Sequence, residues 1–354
     1  MLKTNIIPFF KKHLILFVLF FIIIFLELIK YDSNFIENYY STILYKESSN
    51  IFLYIFGKLP FSVGDTLYLA TPLIIYSIID RNNTRRKNYK NLLYFFITVY
   101  LIFQYQWGLN YHRTPLKNKL LIEHNYDTKT LIKVTDLFIR NTNNIHYKLS
   151  KNDSLPVKFS DNTTPLYIAS INAVQTLEKN KILNEYAPIV SVKNSLFSTP
   201  LSYMGFSGYI NPFTLEAQIN KNIPKIHVPT TICHEIAHQM GYSAENEANF
   251  IGIMATIHSE NNLVSYSGNT LALRYLLNEL YKSDKKSHHL LISKVNKGIL
   301  INFIEANKEW EKYNNPFEPY FKGLFDYFLK VNNQTEGVKS YNLVVNLLVN
   351  YYSN

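Results

Sequence analysis

The chain has 354 residues, of which 47% are hydrophobic and 15% aromatic, and its formal net charge is +10. This length is sufficient for one substantial domain with additional segments. No basic run follows the first third of the chain, which argues against nucleic acid as a partner. The single cysteine, Cys233, excludes an internal disulfide, and we expect it to be a small core residue.

Three apolar stretches in the first third of the chain predict transmembrane helices. The first, Leu14 to Ile29, is almost uninterrupted, and no small-residue cleavage site follows it, so an anchor is favoured over a cleaved signal peptide. The other two are close to the lower limit of ~17 residues for a spanning helix. We predict spans at about 13–29, 63–80 and 92–108, within a membrane anchor of residues 1–110 that contacts the lipid bilayer. The alternative is that these are buried core helices of a soluble protein.

Flanking charges predict the orientation of these spans. Three basic residues precede the first span, and the loop between the first and second has balanced charge. The short loop between the second and third is strongly basic. The basic residues are Lys3, Lys11 and Lys12 before the first span and Arg81, Arg85, Arg86, Lys87 and Lys90 in the later loop. Because basic loops stay in the cytoplasm, we predict a multi-pass protein whose residues 111–354 lie outside the cytoplasmic membrane.

The predicted extracytoplasmic domain, residues 111–354, has mostly helical periodicity. The fold class we expect is α+β, mostly helical, with a small sheet. Helices are predicted at about 127–150, 170–187, 262–282, 288–307, 318–331 and 341–352, and strands at 189–192 and 203–210. Gly205 and Gly208 interrupt the second strand, as is typical of an exposed edge. We assign Ser207 to Asn211 to pairing with extended substrate, with a hairpin that binds no ligand as the alternative. Glu216 is expected to be structural.

Residues 234–238 read His-Glu-Ile-Ala-His, which is the HExxH pattern. Pro229 suits the first turn of a helix and Gly241 is a natural stop, so the pattern is predicted to lie on a helix. One helical turn separates His234 from His238, which lets both imidazoles bind one metal ion. Glu235 can then reach a water without binding the metal itself, so we predict a zinc site with Glu235 as the catalytic base.

Catalytic zinc takes three protein ligands and keeps one position open, so a further ligand is expected from the next helix, predicted at 244–255. Glu245 and Glu247 compete for this role. Glu245 shares its face with the small Ala248 and with Asn249, whereas the neighbours of Glu247 are core-like. We predict His234, His238 and Glu245 as the ligands, with Glu247 as the alternative. Asn249 is expected to hydrogen-bond a ligand histidine.

The segment Glu245-x-x-Ala248-Asn249 after HExxH resembles the E-x-x-A-D element of the gluzincin metallopeptidases, with Asn in place of the final Asp. That resemblance implies that Glu245 is the third zinc ligand. The immunity-repressor peptidases are similar over this segment only. Three segments resemble a bacterial family of membrane-anchored proteins, the domain of unknown function 3810. They are 107–115, 205–214 and 234–249. This resemblance implies a zincin-like peptidase in the inner membrane of a bacterium and brings no known substrate with it.

These observations predict a membrane-anchored zinc metallopeptidase that hydrolyses peptide bonds in extracytoplasmic or envelope proteins through a zinc-activated water. The cofactor is Zn²⁺ and the partner is a peptide or protein substrate. The alternative is a catalytically inactive, metal-binding envelope scaffold or sensor. Arg274, Tyr320 and Tyr341 are candidates for stabilising the oxyanion, and the sequence does not choose among them. An intramembrane protease is disfavoured because His234 lies among polar residues.

Overall fold

The computed structural model describes residues 6–79, 83–122, 126–179, 182–183, 189–337, 339 and 343–353. In these residues the chain is mostly helical and contains one three-stranded sheet. The predicted class, mostly helical with a small sheet, is therefore confirmed.

The N-terminal part consists of helices joined by short turns. Its α-helices are α1 (Ile6–Ile29), α2 (Ser33–Phe35), α3 (Lys46–Gly57), α4 (Val63–Ile78) and α5 (Arg85–Gln106), with a π-helix (Ile36–Tyr45) between α2 and α3. Side-chain oxygens of Ser62 and Thr84 accept backbone hydrogen bonds at the starts of α4 and α5, which satisfies amides that have no partner within a helix. Residues 33–57, expected as a loop between two spans, are therefore helical.

Helices form at each of the three stretches that were predicted to span a membrane. In the described part of the chain, however, no single helix has both the length and the hydropathy to cross one. Two helical segments meet these criteria together, Leu14–Ile29 and Ser33–Gly57, and they are bent by 98° relative to each other. The helices thus provide at most one bent apolar pair and do not support the predicted multi-pass anchor. Many apolar side chains on them are nevertheless exposed, including Ile15 at 66% and Leu73 at 71%.

The remaining helices form the larger part of the fold. They are α6 (Leu116–Lys119), α7 (Thr128–Ser150), α8 (Thr164–Val174), α9 (Thr176–Lys179), α10 (Ser198–Met204), α11 (Val228–Gln239), α12 (Glu245–Ile257), α13 (Asn262–Ser283), α14 (Lys285–Ile292), α15 (Lys297–Glu311), α16 (Glu318–Val331) and α17 (Val344–Ser353). Short 3₁₀ turns lie at Gly108–His112 and Lys225–His227. Most long helices match their predicted positions. The helix predicted at 288–307 is instead two helices that meet near Asn296, and part of the one predicted at 170–187 lies outside the described residues.

The sheet has the strand order β1-β3-β2. β1 (Val192–Asn194) runs parallel to β3 (Ala217–Ile219), and β2 (Gly208–Ile210) runs antiparallel to β3. β2 is therefore an edge strand, as expected. It is shorter than predicted because α10 occupies residues up to Met204 and ends at Gly205, which has the positive φ of 78° that glycine tolerates. β3 was not predicted, since its three residues are all buried and show no alternation.

The main hydrophobic core surrounds α11. This helix packs against α12, α8, α13 and β3. Its buried side includes Ile232, Ile236 and Cys233, and the Cys233 thiol donates a hydrogen bond to the Ser170 carbonyl at 3.2 Å. Cys233 is thus the core residue that was expected. Close packing of this kind fixes where the polar side of α11 points.

Buried charged groups attach the N-terminal helices to the rest of the fold. The Glu216 carboxylate accepts hydrogen bonds from the amides of Val63 and Gly64 at the start of α4, at 3.3 and 2.7 Å. It also pairs with the Lys193 ammonium at 2.5 Å, which gives Glu216 the structural role expected for it. A second buried pair joins Arg113 to Glu37 of the π-helix through two nitrogen–oxygen contacts of 2.9 Å.

Candidate metal centre

Two helices bring three potential metal ligands together. The imidazole rings of His234 and His238, one turn apart on α11, have centroids separated by 4.6 Å. Their Nε2 atoms lie 3.3 and 3.8 Å from Oε2 of Glu245, the first residue of α12. Ligands around one tetrahedral zinc ion are ~3.4 Å apart, given ligand–metal distances of ~2.1 Å. The three side chains therefore form a group that could hold one metal ion.

The turn between α11 and α12 places Glu245 over the histidines. Gly241 has a φ of 83°, a conformation that favours glycine, and it ends α11 as the sequence predicts. The chain then reverses within a few residues and α12 starts at Glu245. Gly252 permits close contact between the two helices, because a Cβ atom there would lie 2.9 Å from the backbone nitrogen of His234. The glycines thus bring a carboxylate and two imidazoles within reach of one point.

His238 is oriented by the backbone of the turn that follows α11, and aromatic side chains from distant parts of the chain pack against its ring or the end of α11. Its Nδ1 lies 2.7 Å from the carbonyl oxygen of Tyr242. A carbonyl can only accept, so Nδ1 carries a proton, and Nε2 is the nitrogen that a metal ion would bind in place of a proton. The ring of Trp107 packs edge-on against His238 at 5.4 Å, and the Tyr45 hydroxyl donates to the carbonyl of Gln239 at 3.2 Å.

Asn249 does not have the role that was predicted for it. The structure contains no hydrogen bond from Asn249 to either histidine, and its buried Nδ2 has no partner. The Tyr242 carbonyl orients His238 instead. The physical reason is that the turn after Gly241 carries this carbonyl back toward the ring, four residues after His238.

Several buried polar atoms at the centre have no hydrogen-bond partner. They include Nδ1 of His234 and one carboxylate oxygen, Oε2, of both Glu235 and Glu245. A buried polar atom without a partner costs about 1–3 kcal/mol. A cation bound by the ligand atoms would satisfy the Glu245 oxygen, so the residues present fit a metal ion.

The electrostatics of the centre favour positive charge between the three ligands. Burial acts against ionisation of Glu245, but the two adjacent imidazoles hold the pKa of its carboxyl well below the usual range. Burial likewise lowers the pKa of His238, but the carboxylates of Glu245 and Glu235 outweigh it and raise that pKa to about 9. Both shifts reflect a pocket in which a carboxylate is stabilised by adjacent positive charge.

The two remaining acidic residues of the motif have different surroundings. Glu235 is buried beside β2, where a Cβ atom on Gly208 would lie 2.8 Å from its Oε1. Glu247 is outside the ligand group, and its carboxylate accepts a hydrogen bond from the Leu116 amide at 2.7 Å. Burial raises the pKa of Glu247 to about 7. The geometry thus brings Glu245, and not Glu247, next to the histidines.

An open cleft of about 1530 Å³ leads to the centre, and His234, Glu235, His238 and Glu245 line it. Of the candidates for oxyanion stabilisation, Arg274 also lines the cleft and donates to Oδ1 of Asn307 at 2.8 Å. Tyr320 does not line it and is 73% exposed, and Tyr341 lies outside the described residues.

Sequence reasoning missed the groups that surround the ligands. Neither Trp107 nor Tyr45 nor the carbonyl of Tyr242 was assigned to the site. The contacts of Trp107 and Tyr45 join positions far apart in the chain, so helical spacing carries no signal for them. Trp107 does lie in a segment that resembles the bacterial family, and this was the available clue.

The fold and the site define a mostly helical protein with a candidate centre for a single metal ion, built from two histidines and one glutamate. The sequence profile of DUF3810, described as a protein of unknown function, matches residues 40–349, and the chain belongs to this family. The match includes the second part of the π-helix as well as the candidate centre. No curated protein and no solved structure gives a match.

Proposed function

We propose that the protein is a zinc-dependent metallopeptidase in which His234, His238 and Glu245 hold the metal. The observation that carries the proposal is the convergence of these three side chains on one point at the base of an open cleft. Two imidazoles and one carboxylate with an open side are a donor set of catalytic zinc.

The chain's own residues supply the rest of the chemistry. Zinc held by His234, His238 and Glu245 would supply a Lewis acid that polarises the scissile carbonyl and activates water. Glu235 follows the first ligand on α11 and faces the same cleft, where it takes the proton of the attacking water and passes it to the leaving amine. His238 stays in the tautomer that can bind metal because its other nitrogen is held by the Tyr242 carbonyl.

β2 supports a polypeptide as the substrate. One side of this strand pairs with β3, and no described strand pairs with its other side. All three residues of β2 line the cleft, and Gly208 lies against Glu235. A free strand edge can hydrogen-bond the main chain of an extended peptide regardless of its sequence. This placement favours hydrolysis of peptide bonds over hydrolysis of small amides.

A zinc measurement and one substitution test the proposal. The purified protein should contain about one zinc ion per chain, and Glu235→Gln should keep the zinc while lowering cleavage of a mixed peptide pool by ~10²–10⁴-fold. Glu260→Gln, at a glutamate whose side chain is 90% exposed, is the matched control and should change neither. If the wild-type protein binds zinc but cleaves no peptide, the metal-binding scaffold or sensor is favoured over the peptidase. If the protein binds no zinc, both of these functions are excluded.

We also propose that the N-terminal helices attach the protein to the cytoplasmic membrane of a bacterium, with the metal centre outside the cytoplasm. The bent apolar pair, the exposed apolar side chains and the basic residues before and between the apolar stretches support this. The protein should remain with membranes after alkaline washing and be released by detergent. Protease added to intact spheroplasts should cleave the part after Asn110, and protection of that part in spheroplasts but not in lysates would contradict the orientation.

A further inference from the structure

The cleft that leads to the metal centre has one strongly apolar wall. We propose that this wall binds apolar side chains of the substrate, so that the enzyme cleaves polypeptides beside a hydrophobic segment, such as the end of a membrane-spanning helix. The inference rests on the proposed peptidase function and names the class of its substrate.

The wall is formed by α4 and α5 together with α16. The residues that α4 and α5 contribute to the cleft are uncharged and mainly aromatic, including Tyr68, Phe96 and Phe103. Apart from the metal centre, the charged lining residues come from α13, α15 and α16. Of these, Glu318 and Lys322 pair with each other. The side of the cleft next to α4 and α5 therefore offers an incoming chain apolar contacts without any competing charge.

Aromatic contacts connect this wall to the ligand helix. The rings of Phe325 and Phe328 on α16 lie within 6.2 Å of each other, and Phe328 contacts both Phe103 and Tyr111 at 6.2 and 6.4 Å. Tyr111 contacts Trp107 at 6.0 Å, and Trp107 contacts His238. An unbroken series of rings thus extends from α16 to a metal ligand.

The helices that form the apolar wall also carry exposed apolar side chains outside the cleft. On the same helices, side chains outside the cleft are strongly exposed, including Leu69 at 57%, Leu73 at 71% and Leu324 at 68%. Exposed apolar surface of this extent marks an interface with an apolar partner or a membrane. The exposed apolar side chains of these helices therefore suit the hydrophobic segment that is proposed to enter the cleft.

The size of the cleft and the position of β2 favour a polypeptide over a lipid. A volume of about 1530 Å³ exceeds the roughly 300–1,000 Å³ of pockets for small molecules. The free edge of β2 supplies backbone donors and acceptors beside Glu235, which an acyl chain cannot use but an extended main chain can. The cleft therefore combines groups for a peptide backbone with a wall for apolar side chains.

A binding experiment with the zinc-loaded Glu235→Gln protein tests the inference without relying on cleavage. Two short fluorescent peptides of equal length are titrated in detergent, one with a central Leu/Phe/Val segment and one with Ser and Asn in its place. We expect the apolar peptide to bind at least ~10-fold more tightly, since several apolar side chains are removed from water.

Substitutions locate the binding to the wall. Phe328→Asn, inside the cleft, should weaken binding of the apolar peptide by ~5-fold or more. Tyr327→Asn is the matched control, because Tyr327 is the neighbouring aromatic on the same helix, is 70% exposed and does not line the cleft. Phe96→Asn provides a second test at a cleft position that is itself 57% exposed, where loss of folding is not expected.

The outcomes separate this inference from the peptidase proposal. Equal binding of both peptides, or equal effects of Phe328→Asn and Tyr327→Asn, would overturn the inference even if the wild-type protein binds zinc and cleaves peptides. Direct binding of a fluorescent phospholipid by a protein that binds neither peptide would assign the wall to lipid and also overturn the inference. Preferential binding of the apolar peptide by a protein that cleaves nothing would support the wall's specificity and contradict the peptidase function alone.

Discussion

Glu245 and Glu247 lie two positions apart on α12, yet their carboxylates have opposite surroundings. Glu245 faces two imidazoles, whereas Glu247 points toward the Leu116 amide. On a helix, positions i and i+2 point about 200° apart around the axis, so only one of the pair can face α11. The structure places Glu245 there, so the side chain that the sequence predicted as the third ligand is the one that lies beside the histidines.

Substituting each glutamate tests the assignment of the metal ligand. Glu245→Gln should weaken zinc binding by more than ~100-fold, since it removes one of three ligands. Glu247→Gln is its matched control and should keep wild-type zinc affinity, because the new amide oxygen can still accept from Leu116. A competition titration with a zinc-binding dye measures both, and equal losses in the two variants would contradict the assignment.

Glu247 should also make stability depend on pH. Burial raises its pKa from the ordinary 4.5 to about 7 in the folded state, so the folded protein holds a proton that the unfolded chain releases. Stability from this group is therefore present at low pH and is lost as pH rises from about 4.5 to about 7, by roughly 1–3 kcal/mol. Glu247→Gln should remove this loss, which thermal unfolding in detergent at several pH values measures. An unchanged pH dependence in the variant would contradict the raised pKa.

At the residue scale, the ligand group could be inferred because it follows from helical geometry. The spacing of His234 and His238 and the small Ala248 near Glu245 contain that information. The groups that hold His238 in place could not be inferred. Trp107 and Tyr45 reach the ligand helix only after the chain has folded, and no local pattern indicates which aromatic side chain will do so.

The contact between α11 and α12 sets the position of Glu245 relative to the histidines. Gly252 lies where a Cβ atom would meet the backbone of His234 at 2.9 Å and the Thr230 carbonyl at 3.2 Å. Backbone atoms of a core helix cannot move aside without shifting the helix itself. The separation of the two helices, and with it the size of the metal centre, depends on this glycine.

Gly252→Ala should therefore both destabilise the protein and weaken zinc binding. We expect a loss of about 1–3 kcal/mol in the free energy of unfolding, as for other overpacked cores. Gly323→Ala is the control, since a Cβ atom on that glycine of α16 meets nothing within 4 Å. It should be neutral or stabilising by about 0.5–1 kcal/mol. Chemical unfolding and zinc titration measure the stability and the zinc affinity of both variants. Wild-type zinc affinity in Gly252→Ala would contradict the role given to the contact between α11 and α12.

At the scale of elements, long amphipathic helices were predictable and short or unusual ones were not. α7, α13 and α16 match their predicted positions within a few residues because their apolar positions repeat over several turns. β3 has only three residues, and the π-helix is a rare conformation without a sequence pattern of its own. The apolar stretches predicted helices correctly, but hydropathy alone did not determine whether each helix crosses a membrane.

At the scale of the whole molecule, buried charges hold the N-terminal helices against the sheet. The Glu216 carboxylate is fully buried and binds two amides at the start of α4 as well as the Lys193 ammonium. The N-terminus of a helix favours a negative charge, so the Glu216 carboxylate stabilises both the Lys193 ammonium and the start of α4. Sequence reasoning assigned Glu216 a structural role but could not identify these partners, which lie in two other segments.

Removing this carboxylate should cost much of the protein's stability. Glu216→Ala leaves a buried ammonium without its partner, and we expect a loss of about 3–5 kcal/mol in the free energy of unfolding. Glu279→Ala is the comparison, because Glu279 pairs with the exposed Lys282 on the surface and should contribute about 0–1 kcal/mol. Similar unfolding curves for the two variants would show that Glu216 does not fasten α4 to the sheet.

The contacts of Tyr45 and Trp107 with the C-terminal end of α11 bear on how the protein can be prepared. A shortened version that starts after Asn110, chosen to avoid the apolar helices, would lack both aromatic side chains together with Glu37, the partner of Arg113. In such a fragment the last turn of α11 loses its contacts with these two aromatic side chains. Loss of zinc from such a fragment would report the missing support and not the quality of the candidate ligands, so metal binding should be measured on the intact chain.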